Sequence, residues 1–230
     1  MRFQDAAPDG RAVVYAAIQA DPLVARAATL LATADRPTMV LARAVMNGVR
    51  TDAAGWRTMF PSLFGPDVPT ALRDRAEAIL AVSLEVADRG EEVRSQVRGA
   101  IVESLAATLL ARRGPAFSTA VRRERRILFD GVPAEIHPYD VTIELAGRAE
   151  AWDCKWGARG IGADVLHQLD DARTHATDEG ERLTVGLIVF DAERSCRLRL
   201  DRQTAPRAET RVVGIETLAR LAAATAGSPT

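Results

Sequence analysis

The sequence is almost devoid of lysine and contains few cysteines and few aromatic residues. Lys155 is the only lysine among 30 basic residues, and aromatic residues make up 5% of the 230 positions. Two cysteines, Cys154 and Cys196, are too few for a disulfide framework, so we expect a reducing, cytoplasmic compartment. Neither these cysteines nor the three histidines have the spacing of a structural zinc site.

Long apolar runs and a strong net charge are also absent. No apolar run reaches the roughly 18 residues that a membrane-spanning helix needs, and the first residues lack the basic-then-apolar pattern of a secretory signal. We therefore expect no membrane partner. A net charge of -1 argues against a protein that coats nucleic acid through its overall charge, but a local basic surface remains open.

Two common catalytic signatures are missing as well. The sequence has no glycine-flanked serine of the kind that forms the nucleophile elbow of a Ser-His-Asp hydrolase. The glycine-rich segment 157–162 is not followed by the Gly-Lys-Ser/Thr of a P-loop. The chemistry of this chain must therefore be sought in other residue combinations.

Residues 1–92 are predicted to be helical. Alanine- and leucine-rich patterns cover 11–19, 23–34 and 71–87, whereas four prolines and glycines make 56–69 an irregular stretch. No catalytic constellation occurs in this part. We interpret it as a helical support or oligomerisation module, forming a homodimer or binding a partner subunit, with a DNA-contacting helix-turn-helix as the alternative.

Residues 93–230 are predicted to form an α/β domain. Apolar residues recur at helical spacing over 91–113, and the later segments alternate between strand and helix patterns. The predicted strands are 119–129, 139–145, the segment returning from the turn at Gly147, 183–190, 197–200 and 211–213, and the predicted helices are 163–179 and 215–226.

A hairpin carries the most informative residues. Tyr139 to Leu145 alternates between apolar and polar residues, and the returning strand contains Asp153 and Lys155 at alternate positions. Because side chains alternate between the faces of a strand, Asp140, Asp153 and Lys155 are predicted to share one polar face. The sole lysine of the chain thus lies two residues after an aspartate.

Glu103 and a group of arginines each permit two interpretations. Glu103 is the only charged residue between Gly99 and Leu110. It either reaches a cation or a cleft, or it points outward or pairs with Arg98 or an arginine at 112–113, because burying it unpaired is costly. The arginines either bind a phosphate backbone or keep a strand edge solvated; they are Arg112, Arg113, Arg122, Arg123, Arg125 and Arg126.

The order of these elements resembles the PD-(D/E)XK nuclease superfamily. The resemblance covers about residues 94–190: a helix with Glu103, a strand, a hairpin with Asp140 and Asp153-x-Lys155, a helix with Gln168, and a buried strand. It implies a restriction-endonuclease-like fold, an αβββαβ core with a mixed central sheet, in a domain over 93–230 that follows the helical region 1–92. Tyr139 precedes Asp140 where the family often has proline.

The resemblance also implies roles for these residues. Asp140 and Asp153 would bind a metal ion, and Lys155 would act on the attacking water and the scissile phosphate. Glu103 would be an auxiliary metal ligand or a supporting acid, and Gln168 would orient the lysine or contact DNA. The backbone carbonyl of Cys154, which lies between Asp153 and Lys155, is a further candidate ligand. Carboxylate oxygens suit Mg²⁺, with Mn²⁺ as a substitute.

The function expected from this resemblance is a metal-dependent nuclease, a DNA endonuclease of prokaryotic defence, restriction or repair. The sequence does not distinguish DNA from RNA. One alternative is a non-catalytic nucleic-acid-binding or scaffold protein on the same fold. Another is a surface hairpin in which Asp153 and Lys155 merely form an ion pair, which contributes little to stability.

Overall fold

A computed structural model describes residues 1–6, 10–48, 51–133, 137–203 and 210–223. The chain divides into two compact units, a helical unit, Asp9–Leu105, and a sheet unit formed by Met1–Pro8 together with Ala106–Thr230. The division lies at 105/106 rather than at the predicted boundary of 92/93, and the N-terminal residues belong with the sheet.

Among the described residues of the helical unit, every regular element is a helix. Asp21, Asp35 and Asp52 begin three of them, each accepting a hydrogen bond from a first-turn amide. The prediction of an irregular stretch over 56–69 is wrong in part, because one short helix ends within it at Met59 and a second starts at Pro61, where proline fits the first turn. The helices are α1 (Gly10–Gln19), α2 (Pro22–Leu31), α3 (Arg36–Asn47), α4 (Ala53–Met59), α5 (Pro61–Phe64), α6 (Thr70–Ala87) and α7 (Glu91–Ala111), whose last residues belong to the sheet unit.

The described residues of the sheet unit form seven strands and three further α-helices. The strands are β1 (Arg2–Asp5), β2 (Val121–Phe129), β3 (Val132–Pro133), β4 (Tyr139–Leu145), β5 (Arg148–Lys155), β6 (Leu183–Val189) and β7 (Arg211–Val213). The helices are α8 (Pro115–Ala120), α9 (Ala163–Asp178) and α10 (Glu193–Leu200), and short 3-10 helices cover Ala158–Gly160 and Leu218–Ala222.

The sheet is mixed, as the sequence predicts. Its strand order is β1-β2-β4-β5-β6-β7, with β3 paired to β2. Pairing is antiparallel from β1 to β5 and parallel from β5 through β6 to β7. The apolar run of β6 lies between two parallel neighbours, which explains why it shows no alternation of polar and apolar residues. The predicted α/β class is therefore confirmed.

Several local predictions are wrong. Residues 197–200, predicted as a strand, form the end of helix α10, and residues 119–120 belong to helix α8 rather than to strand β2. The predicted closing helix over 215–226 is a 3-10 helix at Leu218–Ala222, and its final residues lie outside the described part. Strand β1 was not predicted at all.

Helix α9 packs against the sheet and fixes the position of its own N-terminus. Leu166, Leu169 and Ala172 of α9 are fully buried in one cluster with Val185 and Leu187 of β6. This packing holds the start of α9 near the C-terminal ends of the parallel strands, where open α/β sheets bind their ligands. Among the described helices, none combines the length and apolar character needed to cross a membrane.

Candidate functional site

A polar cavity of about 160 Å³ lies at the C-terminal end of β5, beside the first turns of α9. Four residues that the sequence singled out converge there. The cavity is lined by His137, Pro138, Asp140, Asp153, Lys155, Asp164, Val165 and Gln168. Of the five predicted catalytic residues, only Glu103 belongs to the other unit.

The hairpin register places the two aspartates opposite each other. The β4–β5 ladder pairs Val141 with Trp152 as its last step, and the same register extended by one residue would set Asp140 opposite Asp153. Beyond the ladder, the amide of Cys154 donates a hydrogen bond of 2.5 Å to Oδ2 of Asp140. The side chain of Asp140 thus replaces a backbone acceptor where the strands separate, and this bond orients its carboxylate.

Lys155 lies against Asp153. Its Nζ donates to Oδ1 of Asp153 at 2.5 Å, and the two side chains are 27% and 10% exposed. Burial alone would lower the pKa of Lys155, but the negative charges of Asp153 and Asp140 outweigh burial and raise that pKa above its ordinary value. Gly160 lies close enough that an added Cβ would come within 3.0 Å of Cδ of Lys155, so the lysine stem is closely packed.

The charge balance of the cavity suits a divalent cation. The carboxylates of Asp140, Asp153 and Asp164 line it together with the ammonium group of Lys155. Three negative charges less one positive charge leave a surplus of two negative charges. Carboxylate oxygens are the donors that Mg²⁺ prefers. The donor set therefore fits such an ion. Sequence reasoning assigned no role to Asp164, although it lies four residues before Gln168 on the same side of α9.

Gln168 holds the chain that leads to Asp140. Its Oε1 accepts from the amide of His137 at 3.3 Å, and its Nε2 donates to the carbonyl of His137 at 3.1 Å. The hydroxyl of Tyr139 donates to the backbone carbonyl of Gln168 at 3.3 Å. The sequence predicted that Gln168 would orient Lys155 or contact DNA; the described contacts of its amide are with His137, three residues before Asp140.

Glu124 is a second acid that sequence reasoning missed. A carboxylate oxygen of Glu124 lies within 4.8 Å of one of Asp140, and two like charges at that separation favour a shared cation. Glu124 also has a positive φ of 53° inside strand β2, a conformation that costs free energy for a residue other than glycine. The only sequence signal was that it is the sole acid in an arginine-rich strand.

Glu103 lies in the helical unit and is 4% exposed. Its carboxylate accepts hydrogen bonds from the hydroxyl of Tyr15 and, at 2.8 Å, from Nε2 of Gln19, both on α1. These donors stabilise a buried carboxylate, and the burial rules out the interpretation in which Glu103 points outward. Its role as an auxiliary ligand stays a prediction.

The predicted arginine surface divides into buried and exposed members. The side chain of Arg113 is 0% exposed, and its Nη1 lies 2.5 Å from Oε1 of Glu150. Arg125 is bound to Glu144 at 2.7 Å and also to Asp5. Arg112 and Arg122 are exposed, whereas Arg123 and Arg126 are half-buried. Arg113 and Arg125 therefore form ion pairs within the protein, and the phosphate contacts expected of the other four arginines stay a prediction.

Comparisons with protein-family models, with characterised proteins and with solved structures found no match for this chain. The function of this chain is therefore inferred from the geometry of the cavity and from the chemistry of the residues that line it.

Proposed function

We propose that this chain is a metal-dependent nuclease, a DNA endonuclease whose active centre is the cavity at the end of β5. The observation that carries the proposal is the convergence of Asp140, Asp153 and Lys155 on one cavity with surplus negative charge. The succession of α7, β2, the β4–β5 hairpin, α9 and β6 supports a restriction-endonuclease-like core. A place in prokaryotic defence, restriction or repair rests on the family resemblance alone.

Asp140 and Asp153 would hold Mg²⁺, or Mn²⁺ in its place, with the carbonyl of Cys154 as a further donor. A bound ion of this kind supplies Lewis-acid stabilisation of the phosphoryl oxygens and a more acidic water. The protein prepares the site through its backbone: the amide of Cys154 fixes Asp140, and Gln168 fixes the segment before it. Ligands oriented in advance lose little freedom when they bind.

Lys155 and the start of α9 supply positive electrostatic potential. Lys155 brings an ammonium group to the cavity wall, where it stabilises charge that develops on a phosphoryl group. Helix α9 begins at Ala163, and its N-cap residue Gly162 has no side chain that could cap the first turn. Amides of such a first turn attract phosphate oxygens. The cavity therefore combines acidic residues for a metal ion with positive groups for a phosphate.

The test is cleavage of supercoiled plasmid by the purified protein in Mg²⁺, with EDTA as the metal-free arm. Asp140→Asn, Asp153→Asn and Lys155→Met are each expected to lower the single-turnover rate by about 10²–10³, the effect of removing one group that stabilises a transition state. Lys155→Arg should not restore the rate, because a planar guanidinium does not replace a compact ammonium in a closely packed position.

Asp130→Asn is the matched control. Asp130 is an exposed carboxylate in the turn after β2, with a positive φ of 48° that asparagine also adopts. This variant should cut at the wild-type rate. Absence of cleavage of DNA and RNA by the wild type in both Mg²⁺ and Mn²⁺ would exclude a nuclease, and salt-dependent binding without cleavage would favour the non-catalytic nucleic-acid-binding alternative.

A further inference from the structure

A second cavity of the sheet unit is rich in arginine. It has a volume of about 510 Å³ and lies between the 3-10 helix Ala158–Gly160 and α10. We call it the arginine groove. Half of its lining residues are arginines and none is acidic: Ala158, Arg159, Ser195, Leu198, Arg199 and Arg202.

Among the described residues, the three arginines of the arginine groove are not paired with carboxylates through ion pairs. Nε of Arg199 donates to the carbonyl of Ile161 at 2.9 Å, which fixes that guanidinium, while Arg159 and Arg202 are exposed. Within the part of the chain that the structure describes, none of the three forms an ion pair. The acid at the start of α10, Glu193, is bound to Thr217 and lies 3.6 Å from Arg197.

The arginine groove lies directly beside the proposed active centre along the chain. Arg159 follows Lys155 by four residues, so their Cα atoms are at most about 14 Å apart. Gly160, in the same 3-10 turn as Arg159, packs against the stem of Lys155. At about 3.4 Å of rise per nucleotide in one strand, the distance between Lys155 and Arg159 corresponds to roughly four nucleotides at most.

We propose that the arginine groove binds the phosphodiester backbone of a nucleic-acid strand next to the bond that is cut. The inference rests on the proposed function, since it assigns the contact that positions the substrate of that site. Arg159, Arg199 and Arg202 bind phosphate oxygens through paired N–H donors, and the hydroxyl of Ser195 is a further donor. A guanidinium is suited to this task because its planar fork matches two phosphate oxygens.

The test is the salt dependence of DNA binding, measured by fluorescence anisotropy of a labelled duplex in EDTA between about 50 and 200 mM salt. Arg159→Ala/Arg202→Ala removes two exposed arginines of the groove and leaves Asp140, Asp153 and Lys155 intact. The slope of log K against log salt should fall in magnitude by about 2, one unit for each lost phosphate contact. In Mg²⁺, the KM for DNA should rise while kcat is retained.

Arg75→Ala/Arg220→Ala is the control, because it removes two exposed arginines of α6 and of the C-terminal 3-10 helix and so makes the same change in net charge. Its slope should equal that of the wild type. Equal slopes and affinities for Arg159→Ala/Arg202→Ala and the wild type would overturn the groove even if the wild type cuts DNA. If the slope falls in Arg159→Ala/Arg202→Ala but the wild type cuts no nucleic acid, the result would support backbone binding by the arginine groove and would overturn the proposed nuclease activity.

Inorganic phosphate is the second probe, studied by calorimetry. If the arginine groove binds the phosphodiester backbone, Arg159→Ala/Arg202→Ala must weaken duplex binding. If that variant loses phosphate binding while duplex affinity is unchanged, the arginine groove is a site for free phosphate, and the proposal is wrong.

Discussion

The substitution Glu150→Ala tests the buried ion pair that supports β5 from the side away from the cavity. Glu150 accepts from Nη1 of Arg113 at 2.5 Å and from the indole nitrogen of Trp152 at 3.0 Å. Arg113 also donates from Nε to the carbonyl of Leu221 at 2.8 Å. With alanine at position 150, a guanidinium whose side chain is 0% exposed loses its only described carboxylate partner.

The expected loss is large because the remaining charge cannot reach water. Removing one partner of a buried ion pair costs about 3–5 kcal/mol of unfolding free energy. Glu150→Gln keeps an acceptor for Trp152 and should cost less, about 1–2 kcal/mol. Replacing both residues with leucine should cost less than Glu150→Ala, because no charge is then buried; in the wild type, Nη2 of Arg113 already has no hydrogen-bond partner among the described residues.

Urea unfolding at neutral pH measures these differences. Tryptophan fluorescence and far-UV circular dichroism should be recorded together, because a chain of two compact units need not unfold in one step. The m-value of the sheet transition should stay constant across the series. A loss below about 1 kcal/mol for Glu150→Ala, the value of an exposed ion pair, would refute the description of Arg113 and Glu150 as a buried pair.

Two further predictions concern the residues around Asp140. Gln168→Ala should lower the unfolding free energy by about 1–3 kcal/mol through the loss of two hydrogen bonds to His137, and it should weaken Mn²⁺ binding measured by calorimetry. Gln168→Glu should not restore metal affinity, because a glutamate side chain cannot donate to the His137 carbonyl. Undiminished Mn²⁺ affinity in Gln168→Ala would contradict the positioning role of Gln168. Glu124→Gly should lower the unfolding free energy by less than about 1 kcal/mol, because glycine accepts a positive φ. Glu124→Val should lower it by about 1–3 kcal/mol. Equal urea midpoints for the two variants would contradict a strained backbone at position 124.

The hairpin and the convergence of its polar residues were predictable from the sequence. Alternation over Tyr139–Leu145 determined both the strand and the faces of its side chains, and the turn at Gly147, with a φ of 78°, determined the register. These local rules suffice to bring Asp140, Asp153 and Lys155 to one place. The long apolar patterns of α7, α9 and β6 were equally informative.

Other features depend on contacts between distant parts of the chain. Strand β1 exists because Arg2–Asp5 pairs with β2, more than a hundred residues away. The sequence Arg-Leu-Arg-Leu at 197–200 alternates as a strand would, yet four residues are too few to outweigh a helix that begins at Glu193 and buries Cys196. Whether an arginine is exposed was also unpredictable, since Arg113, in the turn after α7, is buried against Glu150 of the distant strand β5.

A metal ion held by Asp140 and Asp153 is central to the proposed function, and anomalous diffraction from crystals soaked in Mn²⁺ detects such an ion directly. We expect a manganese peak within coordination distance of both carboxylates, about 2.0–2.3 Å, as for hard divalent ions bound by oxygen. The peak should disappear in Asp153→Asn and persist in Asp130→Asn. A wild-type cavity without manganese under saturating conditions, or a peak that survives Asp153→Asn unchanged, would contradict the proposed metal centre.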